Sequence, residues 1–229
     1  GKPVQENSLD PAQAIALITQ LRPKLAQELE DKTLAKLFTD IEMPLVSVLA
    51  DMESSGITVD TGVLRALSKE AEKRLSALIE DIYRISGCQF NINSPKQLRE
   101  VLFGKLKLPV VKKTKTGPST DEEVLRTLSV SHELPALLLE YRQLMKLKST
   151  YIDTLPTLID PKTGRVHTSF NQTGTETGRL SSHNPNLQNI PIKTEFGRNI
   201  RKAIIASATG RFLLSCDYSQ IELRILAHI

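Results

Sequence analysis

The sequence predicts a mainly helical α+β fold in which long helices lead and a mostly antiparallel sheet begins after them. Three features say so. Apolar residues recur three and four positions apart from about Pro11 to Glu53, through "VLRALSKEAEKRLSALIEDIYRIS" and through "LPALLLEYRQLMKLKSTYIDTLP", which is the period of amphipathic helices. Beyond Pro156 the texture changes to short pieces: "RVHTSF" alternates, "KAIIAS" is β-branched, and "RFLLSCD" reads as an apolar strand bounded by Gly210. The last two helical stretches flank a middle region, so they are expected to pair antiparallel around a small helical tip.

Each element has a local reason. The N-terminal helices are expected to break near Pro23 and Pro44 and to close at Gly56. Asp60 or Thr61 can cap the first long helix, and Gly87 stands where a left-handed C-terminal residue is wanted. In the tip, Ser94-Pro95-Lys96-Gln97 and Thr120-Asp121-Glu122-Glu123 both match a capping box. Between them "VVKKTKTGPST" sets Lys112, Lys113 and Lys115 among Thr, Gly and Pro. That loop reads either as a solvated turn or as a phosphate site, since two capped helix N-termini beside it would add backbone donors to three ammonium groups. The stretch "NQTGTETGRLSSHNPNLQNIPIKTEFGRNIR" is too polar for a core and long for a connection, so it is expected to bind something.

Composition narrows the class. The chain has 229 residues, 40% of them apolar, enough for one large domain or two smaller ones with real cores. It holds no run of about 18 uncharged apolar residues, and "GKPVQENSLDPAQ" lacks the regions of a signal peptide, so a cytoplasmic protein without membrane contact is expected. Cys88 and Cys216 have neither CxxC nor Cys/His spacing; a zinc site is not expected, and each reads as a buried reduced thiol. Lys plus Arg number 30 against 26 for Asp plus Glu, a net charge of +4 that suits a polyanionic partner without demanding one.

The carboxylate of Asp217 follows Phe212, Leu213, Leu214 and Cys216, and so would emerge at the end of a largely buried strand, where an unpaired charge is costly. From the strand-Asp-helix pattern alone it caps the following helix. The alternative is a ligand for a hard divalent cation such as magnesium, which takes one or two carboxylates and completes its shell with water and phosphate.

"DYSQIELRILAH" at 217–228 resembles motif A of the A-family DNA polymerases, the bacterial DNA polymerase I family. "TETGRLSSHNPNLQNIP" at 175–191 is similar to the same family's segment just upstream, and "YRQLMKLKSTYIDTLPTLIDPKTGRVHTSFNQT" to its thumb-to-palm passage. The similarity extends back through "NINSPKQL" and "IEMPL" to about residue 40, and more faintly to the start.

The resemblance implies a right-hand architecture, with the thumb at 41–155, the first part of the palm at 156–229, and the end of an exonuclease-like domain or linker at 1–40. It makes Asp217 one of two aspartates that hold both catalytic Mg2+ ions, with the main-chain carbonyl of Tyr218 as a further ligand. Tyr218, Ser219, Gln220 and Glu222 fall at the nucleotide, and Glu222 matches the residue that lies against the incoming sugar and excludes a 2′-hydroxyl; spacing alone would make it a surface glutamate. Arg179 matches the arginine that reads the minor-groove edge of the primer terminus, a contact that tests pairing shape without reading sequence. Asn186, Gln188, Asn189 and Lys193 fall in the DNA-contacting loop. In the thumb, Lys146, Lys148 and Tyr151 are expected on the helix face that approaches the duplex, and Asn93, Ser94, Lys112, Lys113, Lys115, Ser119 and Thr120 at the tip that straddles the minor groove. Gly174 and Glu176 depart from the family's pattern and put an acid near the primer terminus.

The implied activity is template-directed deoxynucleotidyl transfer on primer-template DNA with deoxynucleoside triphosphates. The fingers helix and the second catalytic aspartate are expected downstream of Ile229, in a complementary C-terminal polymerase fragment or a continuation of the chain; alone, the chain is expected to be inactive. The competing reading is a non-catalytic DNA-binding module that uses the thumb alone. A self-contained nuclease or phosphatase needs a second acidic cluster, and the candidate Asp121-Glu122-Glu123 is already explained by helix capping.

Overall fold

In a computed structural model, residues 10–115, 117–208 and 210–229 are described; the first nine residues of the N-terminal stretch, Thr116 of the tip loop and Thr209 before Gly210 lie outside them. In chain order the elements are α1 (Pro11–Asp31), α2 (Ala35–Leu37), α3 (Met43–Ser55), β1 (Thr58–Val59), α4 (Thr61–Ser86), α5 (Pro95–Arg99), β2 (Lys113–Thr114) and β3 (Gly117–Pro118). Then follow α6 (Glu122–Leu128), α7 (Glu133–Leu147), β4 (Ile159–Asp160), β5 (Arg165–Val166), β6 (Ser169–Asn171), β7 (Ser181–His183), α8 (Glu195–Lys202), β8 (Ile204–Ile205) and α9 (Ile221–His228). The strands pair as β1–β8, β2–β3, β4–β5 and β6–β7, all antiparallel, so the α+β reading holds.

The chain forms two compact units, 1–55 with 169–183, and 56–168 with 184–229. In the first, Glu53 Oε1 accepts from the Phe170 N–H at 2.6 Å, and Gln172 Nε2 donates to the carboxylate and carbonyl of Glu42 at 2.8 and 2.9 Å. These bonds brace the β6–β7 hairpin against α3 and the π-type turn before it.

The second unit is built on α4 and α7. Leu64, Leu67, Ala71, Leu75, Leu78 and Ile82 of α4 meet Leu134, Leu138, Tyr141, Leu144 and Leu147 of α7 in one buried cluster. Each fully buried leucine contributes roughly 1.5–3 kcal/mol. The helices run antiparallel, as the cross-links show: Arg74 bonds Glu140 at 2.6 Å, Lys148 bonds Glu72 at 3.1 Å, and Ser68 bonds Asp153 at 2.8 Å. Asp60 caps α4 through the N–H groups of Gly62 and Val63, and Gly87 ends it at φ 64° while Lys105 Nζ donates to the Gly87 carbonyl at 2.8 Å. Gly56 has φ 57°, and a Cβ there would lie 2.7 Å from the Val166 carbonyl, so the turn into β1 admits only glycine.

Four expectations change. First, α1 runs unbroken through Pro23, because a proline removes one ladder hydrogen bond but keeps a helical φ. Second, α6 is capped by Asp121, whose side chain accepts from the Val124 N–H, so the helix starts one residue later than a Thr120 cap predicts. The Ser94 cap stands, but Gln97 Oε1 accepts from the Asn91 N–H rather than closing the box. Third, the second long helix ends at Leu147 and passes through a π-type turn at Lys148–Ile152 and a 3-10 turn at Leu155–Leu158.

The fourth change is the largest. "RFLLSCD" is not a buried strand: residues 211–217 join no strand pair among the described residues, Phe212 is 91% exposed, and Cys216 and Asp217 are exposed too. An extended segment needs a hydrogen-bonded neighbour to count as a strand, and neither β1–β8 nor any other described pair supplies one to 211–217.

Candidate nucleic-acid interface

The sequence of α7 positions the first group of side chains. The His132 ring accepts from the Leu134 N–H at 3.1 Å and starts the helix, whose apolar face is buried against α4. The opposite side of α7 borders a cavity of about 710 Å³. Lys146 and Tyr151 reach it from α7 and the following turn, Asn186 and Asn189 from the polar loop, and Arg126 and Arg142 from α6 and α7. Four expected DNA contacts, far apart in sequence, are thus brought together.

Each wall is locally fixed. Asn186 Oδ1 accepts from the Gln188 and Asn189 N–H groups at 3.1 and 3.2 Å, which shapes the loop. Tyr151 is buried, and burial pushes its phenol above the usual value. Half-buried Arg142 donates to the Thr120 carbonyl at 2.5 Å, while burial lowers its guanidinium from the ordinary value. Arg142 and Arg126 were not singled out from sequence. Arg142 sits four residues before Lys146 on one helix, a spacing that could have marked it.

Lys148 faces the other way. Its ammonium lies 2.6 Å from Asp153 and 3.1 Å from Glu72, with the side chain only 13% exposed. The expectation that Lys146, Lys148 and Tyr151 share one face is therefore corrected: residues two apart on a helix point about 200° apart.

At the tip, most of the expected residues hold the tip itself. Lys112 pairs with Asp121 at 3.1 Å and with Glu123 at 3.4 Å, and those bonds, with Asp121 first, raise it from its ordinary value. Asp121 is lowered from 3.8 to about 2 by the Val124 N–H first and then by Lys112. Buried Ser119 accepts from the Asp121 N–H, Thr120 holds Arg142, Ser94 caps α5, and Asn93 Nδ2 donates to the Tyr141 hydroxyl at 3.2 Å. Lys113 and Lys115 are exposed.

Arg179 is exposed in the loop between β6 and β7, where Thr175 Oγ1 donates to its carbonyl at 2.7 Å. A Cβ at Gly174 would meet the Ser181 hydroxyl and the Asn171 side chain, so a larger residue here needs those side chains to move. Nothing in the structure explains Glu176. Gln188, Asn189 and Lys193 are exposed; Arg198 donates to the Lys193 carbonyl at 2.9 Å, and Thr194 caps α8.

The family model described as DNA polymerase family A matches residues 61–229. The chain belongs to DNA polymerase family A. It is 52% identical over 214 residues to DNA polymerase I of Geobacillus stearothermophilus, covering 93% of this chain and 24% of that protein. It is 51% identical over 217 residues to the thermostable DNA polymerase I of Thermus aquaticus, covering 93% and 26%. The chain thus spans about a quarter of the curated relatives it matches. Among solved structures, the POL domain of Pol1 from M. smegmatis, in complex with DNA primer-template and dNTP, superposes with a TM-score of 0.82 at 43% identity, covering 92% of this chain and 37% of that one.

In this family A chain the motif at 217–228 starts on the exposed segment. Asp217 lies three residues before the α9 N-cap, Gln220, which is left-handed at φ 52° and makes no side-chain cap. The capping role that pattern alone gave Asp217 is therefore not taken up. Tyr218, Ser219, Gln220 and Glu222 are exposed with it, and Arg224 Nε donates to the Ser219 carbonyl at 2.9 Å. The described residues hold no group of three or more His, Cys, Asp or Glu arranged for a metal. The Asp217 carboxylate and the Tyr218 carbonyl are hard oxygen donors of the kind magnesium takes. No described helix is long and apolar enough to cross a membrane.

Proposed function

We propose that this chain grips primer-template DNA and contributes Asp217 to template-directed deoxynucleotidyl transfer. Residues 41–155 act as the thumb, 156–229 as the first part of the palm, and 1–40 as the end of an exonuclease-like domain or linker. The observation that carries the DNA-binding part is the cavity on α7, where Lys146 and Arg142 stand beside the amides of Asn186 and Asn189, and where Arg126 is paired with Glu122. Cations placed beside amides suit a sugar-phosphate backbone, the first for charge and the second for sugar and base edges. The solved relative in complex with primer-template and dNTP supports extending that reading to the polymerase reaction.

In this reading Lys113 and Lys115 approach the backbone from the tip, and Gln188 and Lys193 extend the loop contact. Lys112, Asn93, Ser94, Ser119 and Thr120 hold the tip in shape beside the minor groove. Arg179 reads the minor-groove edge of the primer terminus. Asp217 and the Tyr218 carbonyl hold Mg2+, which when bound supplies Lewis-acid stabilisation of developing negative charge. Ser219 and Gln220 lie beside the triphosphate, and Glu222 lies against the sugar and rejects a 2′-hydroxyl. The second carboxylate belongs to a complementary polymerase fragment or to the rest of a longer chain, and the setting is cytoplasmic.

Two experiments test this. Binding of a primer-template duplex by the chain should weaken with salt, with a log-log slope that Lys146→Gln reduces by about 0.9; a salt-independent affinity would refute the grip. Mixing with a fragment carrying the second aspartate should yield primer extension that Asp217→Ala abolishes. Unimpaired extension by the variant would leave the alternative, a non-catalytic DNA-binding module that uses the thumb alone.

A further inference from the structure

Lys148 stands two residues from Lys146 in a lysine-rich stretch, yet its side chain is only 13% exposed, and its partners Glu72 and Asp153 reach it from the surface. Its Nζ lies 2.6 Å from Asp153 Oδ2, 3.1 Å from Glu72 Oε1 and 3.1 Å from Ser68 Oγ. Ser68 Oγ in turn donates to Asp153 Oδ1 at 2.8 Å. An ammonium has three donors, and each here has its own acceptor, two of them charged. The network joins positions far apart in sequence: Ser68 and Glu72 on α4, Lys148 and Asp153 on the turn that ends α7. The ammonium is held above its usual value, first by Asp153 and then by Glu72, against the opposing cost of burial.

The position of this network matters. The π-type turn at Lys148–Ile152 carries Tyr151, and Lys146 lies in the helical turn before it; both line the cavity on the opposite side of the helix. π-type turns are rare and occur mostly as single-turn bulges in helices, often at functional sites. Across from the cavity, Lys148 ties the start of this one to α4.

We propose that Lys148 is a positioning residue: it clamps the end of α7 to α4, so that Lys146 and Tyr151 are presented to the duplex, and makes no phosphate contact itself. The proposal deepens the duplex-binding reading and rests on it for its consequence, but not for the clamp.

The test uses Lys148→Met, which keeps the unbranched stem, one atom shorter, and removes the charge, alongside Lys146→Met, both titrated with primer-template duplex over a range of salt. Lys146→Met should lower the log-log slope by about 0.9. Lys148→Met should leave the slope at the wild-type value, weaken binding severalfold at every salt concentration, and lower the melting midpoint by roughly 2–4 °C per kcal/mol lost. A slope reduced by about 0.9 in Lys148→Met, or an unchanged midpoint, overturns the proposal. If the wild-type chain binds no duplex, the duplex-binding reading fails by itself, and the clamp is decided by melting alone. Lys148→Met combined with Asp153→Asn should then lower the midpoint no further than the worse single variant; shifts that add in full overturn it.

Discussion

Asp121 shows how a single side chain can set both a helix start and a pH dependence. Its carboxylate accepts from the Val124 N–H and from Lys112, and is lowered from 3.8 to about 2. A folded-state value below the unfolded one stabilises the fold above the unfolded value, and that stabilisation is lost as pH falls through the folded value. Tip stability should therefore be full above about pH 4 and decline between there and about pH 2. Melting curves across that window test it: Asp121→Asn keeps a capping oxygen but should flatten this part of the profile, and an unchanged profile would assign the loss to other groups. The thiols give a second residue-scale prediction. Cys216 is exposed, whereas Cys88 is half-buried with its Sγ 3.7 Å from the Ser86 carbonyl. A thiol reagent should modify Cys216 quickly and Cys88 slowly under native conditions, checked by mass spectrometry of the peptides; equal rates would contradict the burial seen here.

Among the elements, what could be read in advance was what depends on near neighbours in sequence. The faces of α4 and α7, the Asp60 cap and the Gly87 terminus follow from spacing and cap chemistry within a few residues, and all formed as expected. Pro23 does not end α1, because a proline removes one ladder hydrogen bond while its φ still suits the helix. The place of Lys148 is not legible locally, because its partners Glu72 and Ser68 lie on another helix. Packing carries its own prediction. Leu138 is fully buried between the two long helices, so Leu138→Ala should cost about 2–5 kcal/mol in denaturant unfolding. Val130, 91% exposed in the connection before α7, should change stability by less than about 0.5 kcal/mol when replaced by Ala. A small effect at Leu138 would mean that the α4–α7 seam is not the core of its unit.

At the scale of the whole molecule, the family was legible because its motifs are long runs of local sequence, whereas the state of 211–229 was not. Burial of "RFLLSCD" depends on strands that the described residues do not supply, and the apolar pattern records only the tendency to be covered. The consequence is a stretch in which Phe212, Leu214 and Ile229 are 91%, 88% and 97% exposed, next to backbone groups that no described strand pairs. Uncovered apolar side chains beside an unpaired extended segment template association between chains. A net charge of +4 is small for a chain of 229 residues and opposes that association weakly. The isolated chain should therefore associate as its concentration rises, seen as a growing apparent mass in light scattering. Phe212→Asp with Leu214→Asp should suppress this without shifting the melting midpoint, because neither side chain is packed. If the double variant associates as the wild type does, the segment is not the sticky surface. The exposed apolar residues of α1, such as Ile15 and Ile18 at 66% and 65%, would then be the next surface to charge.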